Sequence, residues 1–94
     1  MLPERTSLCQ LPTPCHRLER ASERLGLDLW IKRDDLTGFA FGGNKGRKLE
    51  YLISDVLRQG ADTVVTCGSR QSNFIRQLAA ATRAFGIRLI AVVM

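Results

Sequence analysis

Two short β-rich runs, residues 62–67 (DTVVTC) and 87–94 (IRLIAVVM), flank a single amphipathic helical stretch, and this pattern constrains the chain more than any other feature. Strand, helix and strand at that spacing make a βαβ unit, in which the two strands run parallel and the crossover is right-handed. Between them Ile75, Leu78, Ala79, Thr82 and Phe85 recur on one helical face, and Gly86 follows as a stop. The fold class expected is therefore α/β, with a parallel sheet built from βαβ units.

The rest of the chain extends the alternation. Leu49, Leu52, Ile53, Val56 and Leu57 fall at i, i+3, i+4, i+7 and i+8, which predicts a second helix ending before Gly60. Residues 17–25 read as a short helix stopped by Gly26, and residues 27–33 (LDLWIKR) as a strand with Leu27, Leu29 and Ile31 on one face. Residues 1–16 hold all three prolines (Pro3, Pro12, Pro14) and read as an extended leader to an α/β part at 17–94. Parallel strands are nearly always covered on both faces. Three strands and three helices that finish on an apolar strand thus predict one incomplete α/β domain over residues 1–94. Its strand at 87–93 is expected to be a docking edge.

Composition closes off several functions. The net charge of +5 invites a nucleic-acid reading, but the basic residues are spread along the chain and interleaved with acidic ones. Nucleic-acid binders concentrate such charge on one face, so none is expected as a partner. Cys9, Cys15 and Cys67 form no CxxC pair and His16 is the sole histidine, so no metal site is expected. No apolar run reaches the length of a membrane span, and residues 1–5 lack the apolar stretch of a secretory leader. The expectation is a cytoplasmic protein with free thiols.

Two loops can carry chemistry, and each leads into a helix. Gly42-Gly43-Asn44-Lys45 sets a lysine directly before the helix of Leu49. The lysine is either a solvated loop residue or one that reaches a flat ligand brought close to the glycine backbone. A phosphate-binding P-loop is excluded by the spacing, because Lys45 precedes Gly46 and no second motif glycine lies in place. Gly68-Ser69-Arg70-Gln71-Ser72-Asn73 follows the carboxyl end of a strand, the edge at which open α/β sheets bind ligands. Ser72 or Asn73 there is a helix cap, an anion-site residue, or both.

Taken together, the run from Ile31 to Gly38 (IKRDDLTG), Gly42-Gly43-Asn44-Lys45, Arg47-Lys48-Leu49-Glu50-Tyr51-Leu52, and Gln71-Ser72-Asn73 with Arg76-Gln77 resemble the pyridoxal-phosphate-dependent D-cysteine desulfhydrase and 1-aminocyclopropane-1-carboxylate deaminase family. The resemblance covers residues 10–94 in order. It implies the N-terminal portion of a tryptophan synthase β-like (fold type II) enzyme with pyridoxal 5′-phosphate as cofactor. By that resemblance Lys45 is the lysine that forms the Schiff base, Asn44 shapes its surroundings and Asn73 hydrogen-bonds the cofactor's 3-oxygen. Ser72 lies beside ring and substrate, and Gln71 beside the substrate carboxylate.

The implied partner is a small amino-acid substrate. The implied reaction is α,β-elimination of D-cysteine to pyruvate, ammonia and sulfide, with opening of the cyclopropane amino acid as the alternative. Relatives of this family are several times longer and carry their phosphate loop outside the matching stretch. The 94 residues are therefore expected to be inactive alone, to form a homodimer, or to be complemented by a C-terminal chain; a non-catalytic binding module is the reading from another class. Phe74, where desulfhydrases commonly carry histidine, and Gly46, where threonine is frequent, depart from the family pattern.

Overall fold

The computed structural model describes residues 3–94; Met1 and Leu2, at the start of the predicted leader, lie outside the described residues. Strand β1 (Cys15–Arg17) leads into helix α1 (Glu19–Leu25) and strand β2 (Trp30–Lys32). A single 3-10 turn (Asp34–Leu36) precedes helix α2 (Lys45–Arg58), strand β3 (Thr63–Gly68), helix α3 (Asn73–Ala84) and strand β4 (Arg88–Val93).

The expected βαβ unit is present. β3 and β4 pair in parallel, from Thr63 opposite Arg88 to Gly68 opposite Val93, with α3 as the crossover. Period-2 alternation sorts the side chains. Val64 and Leu89 face the helices and pack against the core of Leu49, Ile53, Leu78 and Ala81. Their neighbours Val65, Ile90 and Val92 point the other way and stay exposed. The sheet is thus covered on one face by α2 and α3 and bare on the other.

The N-terminal third differs from the sequence expectation. Arg17 ends a strand instead of starting a helix, and α1 begins two residues later. Its guanidinium explains the change: Nε donates to Asp28 at 2.7 Å and Nη1 to Glu19 at 2.6 Å, which staples β1 to the turn after α1. The predicted strand at 27–33 shrinks to three residues because Leu27 N and Leu29 N are used by Ser22 O (3.1 Å) and Ser22 Oγ (3.0 Å). β2 pairs with β1 as an antiparallel ribbon separate from the parallel pair. Trp30 remains exposed on it, as does Leu27 in the turn before it.

Nor is the leader free along its length. Cys15 and His16 belong to β1, and the segment before them is tied to the body at Gln10, whose N–H meets the Thr37 carbonyl at 2.7 Å, and by one buried carboxylate at Leu8 and Cys9. Glu50, 1% exposed, accepts the N–H groups of Leu8 (2.8 Å) and Cys9 (2.9 Å) on Oε2, and Arg5 Nε lies 3.4 Å from Oε1. Thr6 N also donates to the Glu50 carbonyl at 2.9 Å. Burying a charge is tolerable only with such partners.

That clamp explains Gly46. In the first turn of α2 a glycine costs about 1 kcal/mol of helix propensity against alanine. A Cβ at this position, however, would stand 2.5 Å from Cys9 Sγ and 3.3 Å from Phe39. The leader packs too closely on α2 for any side chain. Gly46→Ala is therefore expected to lower the melting temperature by about 5 °C despite its better propensity, since overpacking costs about 1–3 kcal/mol. Adding Cys9→Ala should restore most of the loss. A Gly46→Ala chain that melts at or above the wild-type temperature in a calorimetric scan would show that the thiol simply moves aside.

Candidate functional site

The first turns of α2 and α3 lie side by side, and both loops singled out in the sequence enter the fold there. Lys45 is the first residue of α2 and is half-buried. Ser72 is the N-cap of α3: its Oγ accepts the Ile75 N–H at 3.1 Å. The cap uses the oxygen as acceptor, so the hydroxyl proton stays available to a ligand. Asn73 opens α3, and its Oδ1 accepts from Arg76 Nη1 at 2.9 Å. Asn44 precedes α2 in an α-helical conformation and makes no side-chain cap; like Gln71, it is exposed.

What joins the loops is the carbonyl of Gly42. It accepts from Arg76 Nη2 at 2.9 Å and from the buried Gln77 Nε2 at 3.3 Å. Arg76 thus touches Asn73 with one nitrogen and the lysine loop with another. One turn along α2, Lys48 Nζ stands 5.0 Å above the Phe74 ring, a cation–π contact between the same two first turns. Phe74, the departure noted in the sequence, therefore holds the second lysine of this helix end.

The glycine loop is fixed by its own backbone. Gly42 N donates to Phe39 O at 2.9 Å and Gly43 N to Asp34 O at 2.8 Å. With both N–H groups spent on carbonyls, this loop is no phosphate nest. A Cβ at Gly42 would run into the Asp35 carbonyl oxygen, and the residue sits at φ 82°, so only glycine fits. Ala40 (φ 49°) and Phe41 (φ 70°) adopt left-handed backbone without that freedom, and Phe41 projects almost wholly into solvent. Such strain of about 1–3 kcal/mol per residue persists only where the surroundings impose it.

Beneath the loop lies an ion pair that the sequence did not announce. Arg47 donates through Nε to Asp34 Oδ2 (2.7 Å) and through Nη2 to Asp34 Oδ1 (3.0 Å) and Thr13 Oγ1 (3.0 Å). Thr13 Oγ1 in turn donates to Asp34 Oδ1 at 2.8 Å. The Arg47 guanidinium, and next the Thr13 hydroxyl, hold the Asp34 carboxyl below its ordinary range. Since Asp34 also supplies the carbonyl for Gly43, this pair fixes where the lysine loop starts. Neither first turn contains an acidic residue, so with Lys45, Lys48 and Arg76 the site end is a positive, donor-rich surface suited to anionic oxygen.

The donor set fits one end of an aldehyde-bearing aromatic cofactor: an amine at Lys45, amide N–H groups at Asn73 and a hydroxyl proton at Ser72. Among the described residues no group of three or more His, Cys, Asp or Glu is placed to hold a metal, and no helix is long and apolar enough to cross a membrane.

Comparison with known proteins places the chain in a family. A family model described as pyridoxal-phosphate dependent enzyme matches residues 6–94. The D-cysteine desulfhydrases of Salmonella newport and Salmonella enteritidis are 51% identical to the chain over 87 residues, covering 93% of it and 26% of their own length. A crystal structure described as an ACC deaminase homologue superposes with a TM-score of 0.92 at 44% identity, covering 97% of this chain and 28% of that one. The chain spans about a quarter of the length of the relatives it matches. The match in three dimensions bears out the α/β class and the tryptophan synthase β-like fold.

A carboxyl whose folded pKa is lowered adds stability above its unfolded value, and that stability is lost as pH falls through the folded value. Wild-type stability should therefore decline on acidification below about pH 4, the ordinary carboxylate range. Asp34→Asn should be less stable at neutral pH by about 1 kcal/mol and show a flatter acid limb. Urea unfolding at pH 7 and pH 3 checks this; parallel curves for the two chains would remove Asp34 from the account.

Proposed function

The chain belongs to the family of pyridoxal-phosphate dependent enzymes, and on that premise we propose that it carries the lysine side of the pocket of a D-cysteine desulfhydrase-like lyase. The observation that supports this most directly is the Arg76 bridge, which brings the lysine loop and Asn73 to one place. Lys45 would hold the cofactor through its amine, Asn73 would hold the cofactor's 3-oxygen through its side-chain amide, and Asn44 would shape the approach to the amine. When bound, the cofactor supplies an electron-accepting ring that stabilises negative charge at the substrate's α-carbon.

The remaining work falls to side chains. Lys45 Nζ takes the α-proton of the substrate and can return it. Ser72, with its acceptor side held by Ile75 N–H, presents its proton to the substrate, and Gln71 stands beside the substrate carboxylate. The net reaction consumes D-cysteine and water and releases pyruvate, ammonia and hydrogen sulfide. A deaminase acting on 1-aminocyclopropane-1-carboxylate is the alternative, supported by the 44% identity to the deaminase homologue.

Residues 1–94 serve in this reading as a single α/β unit of a cytoplasmic enzyme. The bare apolar face of β3 and β4 supports a further layer of protein against it, whether from a second copy or a complementing chain.

Titration with pyridoxal phosphate, borohydride reduction and peptide mass mapping should find the cofactor on Lys45, with the signal lost in Lys45→Ala. D-cysteine added before reduction should lower that labelling more than 1-aminocyclopropane-1-carboxylate does; the reverse order would favour the deaminase. Labelling scattered over several lysines, or none, would sink the proposal.

A further inference from the structure

The hydrogen bonds at the start of α3 do more than hold two loops together, because one of them fixes which way an amide points. Asparagine carries an acceptor oxygen and a donor nitrogen on one planar group, and either can face a ligand. A guanidinium has only donors. With Arg76 Nη1 at 2.9 Å, the Asn73 side chain can meet it only through Oδ1, which leaves Nδ2 and its two N–H groups turned away from Arg76. The Arg76 guanidinium is itself pinned from the other side, by Nη2 on the Gly42 carbonyl.

We infer that Arg76 is a positioning residue: it locks the Asn73 amide so that the site presents donors alone to the cofactor's ring oxygen, and it sets the lysine loop in register with that amide. This rests on the reading of Lys45 and Asn73 given above, and adds to it the group that selects the anionic form of that oxygen. Three features converge on the assignment. Ser72 Oγ already accepts from Ile75 N–H, so its free function is a donor too. The first turns of α2 and α3 contain no carboxylate to compete for the guanidinium. Gln77, the next residue, holds the same Gly42 carbonyl with Nε2 from a fully buried position, so the bridge stands on a rigid support. Without Arg76 the amide turns freely, and in one of its two orientations Oδ1 opposes a negatively charged oxygen.

Lysine is no substitute. Its ammonium is a point charge, whereas the planar fork of arginine reaches Asn73 Oδ1 and Gly42 O at once. Both Arg76→Met and Arg76→Lys are therefore expected to weaken pyridoxal phosphate binding about tenfold, the loss of roughly one charge-assisted hydrogen bond. Both should also raise the pH midpoint of the bound cofactor's absorbance change, which reports protonation of the ring oxygen. Asn73→Asp should do the same, and Arg76→Met combined with Asn73→Asp should cost less than the sum of the two, because the residues act as one unit.

A readout without cofactor uses nitrogen-15 NMR of the 94-residue chain. The side-chain amide pair of Asn73, assigned by its disappearance in Asn73→Asp, should be as rigid as the backbone in wild type and mobile in Arg76→Met. Melting curves accompany each variant. Should Arg76→Met fail to fold, Arg76→Lys carries the same test. Selective attachment at Lys45 in all variants, with unchanged affinity and midpoint, would overturn the role of Arg76 while leaving the reading of the site intact. Full restoration by Arg76→Lys would also overturn it, since charge alone would then suffice. Absence of attachment at Lys45 in wild type would overturn both.

Discussion

The packing of the first turn of α2 against the first turn of α3 is the constraint on which the rest of this structure depends. Leu49 and Ile53 from one helix and Leu78 and Ala81 from the other make the core, and Val64 and Leu89 close it from the sheet. At the N-terminal end of this seam the two helices stay close, with Gln77 Oε1 3.5 Å from where a Cβ on Gly46 would stand. The same closeness lets Arg76 and Gln77 reach the Gly42 carbonyl and lets Phe74 meet Lys48. Hydrophobic burial supplies the drive for the helices to pair. The polar contacts at the helix starts decide the register in which they do so, and that register puts the lysine loop beside Asn73.

The parts of the fold legible in the sequence are those governed by periodicity. The i, i+3, i+4 pattern around Leu49 and the β-branched runs at 62–67 and 87–94 gave α2, β3 and β4 directly, and Gly86 marked the end of α3's stretch. Ser72 was legible as a cap because serine before a helix satisfies an orphan N–H wherever it occurs. What stayed hidden depends on partners distant in sequence. No local pattern says that Glu50, on the face of α2, will be buried to receive the amides of Leu8 and Cys9, which lie more than forty residues away. Likewise Arg17 reads as a helix starter until Asp28 is folded back onto it.

Of the candidate site, the sequence names individual residues but not their relations. Lys45 and Asn73 could be named from the motifs they sit in, but the bridge between them runs through a backbone carbonyl, which has no sequence signature. Arg76 carried a partial signal, since three residues separate it from Asn73 and i, i+3 neighbours share a helix face. Gly46 shows the opposite case. In the sequence it stood only as a departure from the family pattern, and the position of Cys9 Sγ supplies its reason. Propensity counts a residue against its own helix; here the deciding contact comes from another segment.

The placement of rigidity and strain follows from this. Lys45, Ser72 and Asn73 sit at the first positions of helices or immediately before them, where a cap, a bridge and a packed seam fix the backbone, and sites built on such elements hold their geometry better than sites on free loops. The left-handed residues Ala40 and Phe41 are confined to the turn just upstream. That turn is bracketed by Thr37, whose carbonyl holds Gln10 N at 2.7 Å, and by Gly43, whose N–H is held by Asp34. Both ends are therefore anchored to the N-terminal third: Gln10 lies in the leader, and Asp34 bonds to Thr13 and Arg47. The leader thus has a part in placing Lys45 without touching it. By clamping onto Glu50 and Thr37 it sets the span across which the loop must turn, and a loop so held can keep an unfavourable backbone while delivering Lys45 to the start of α2.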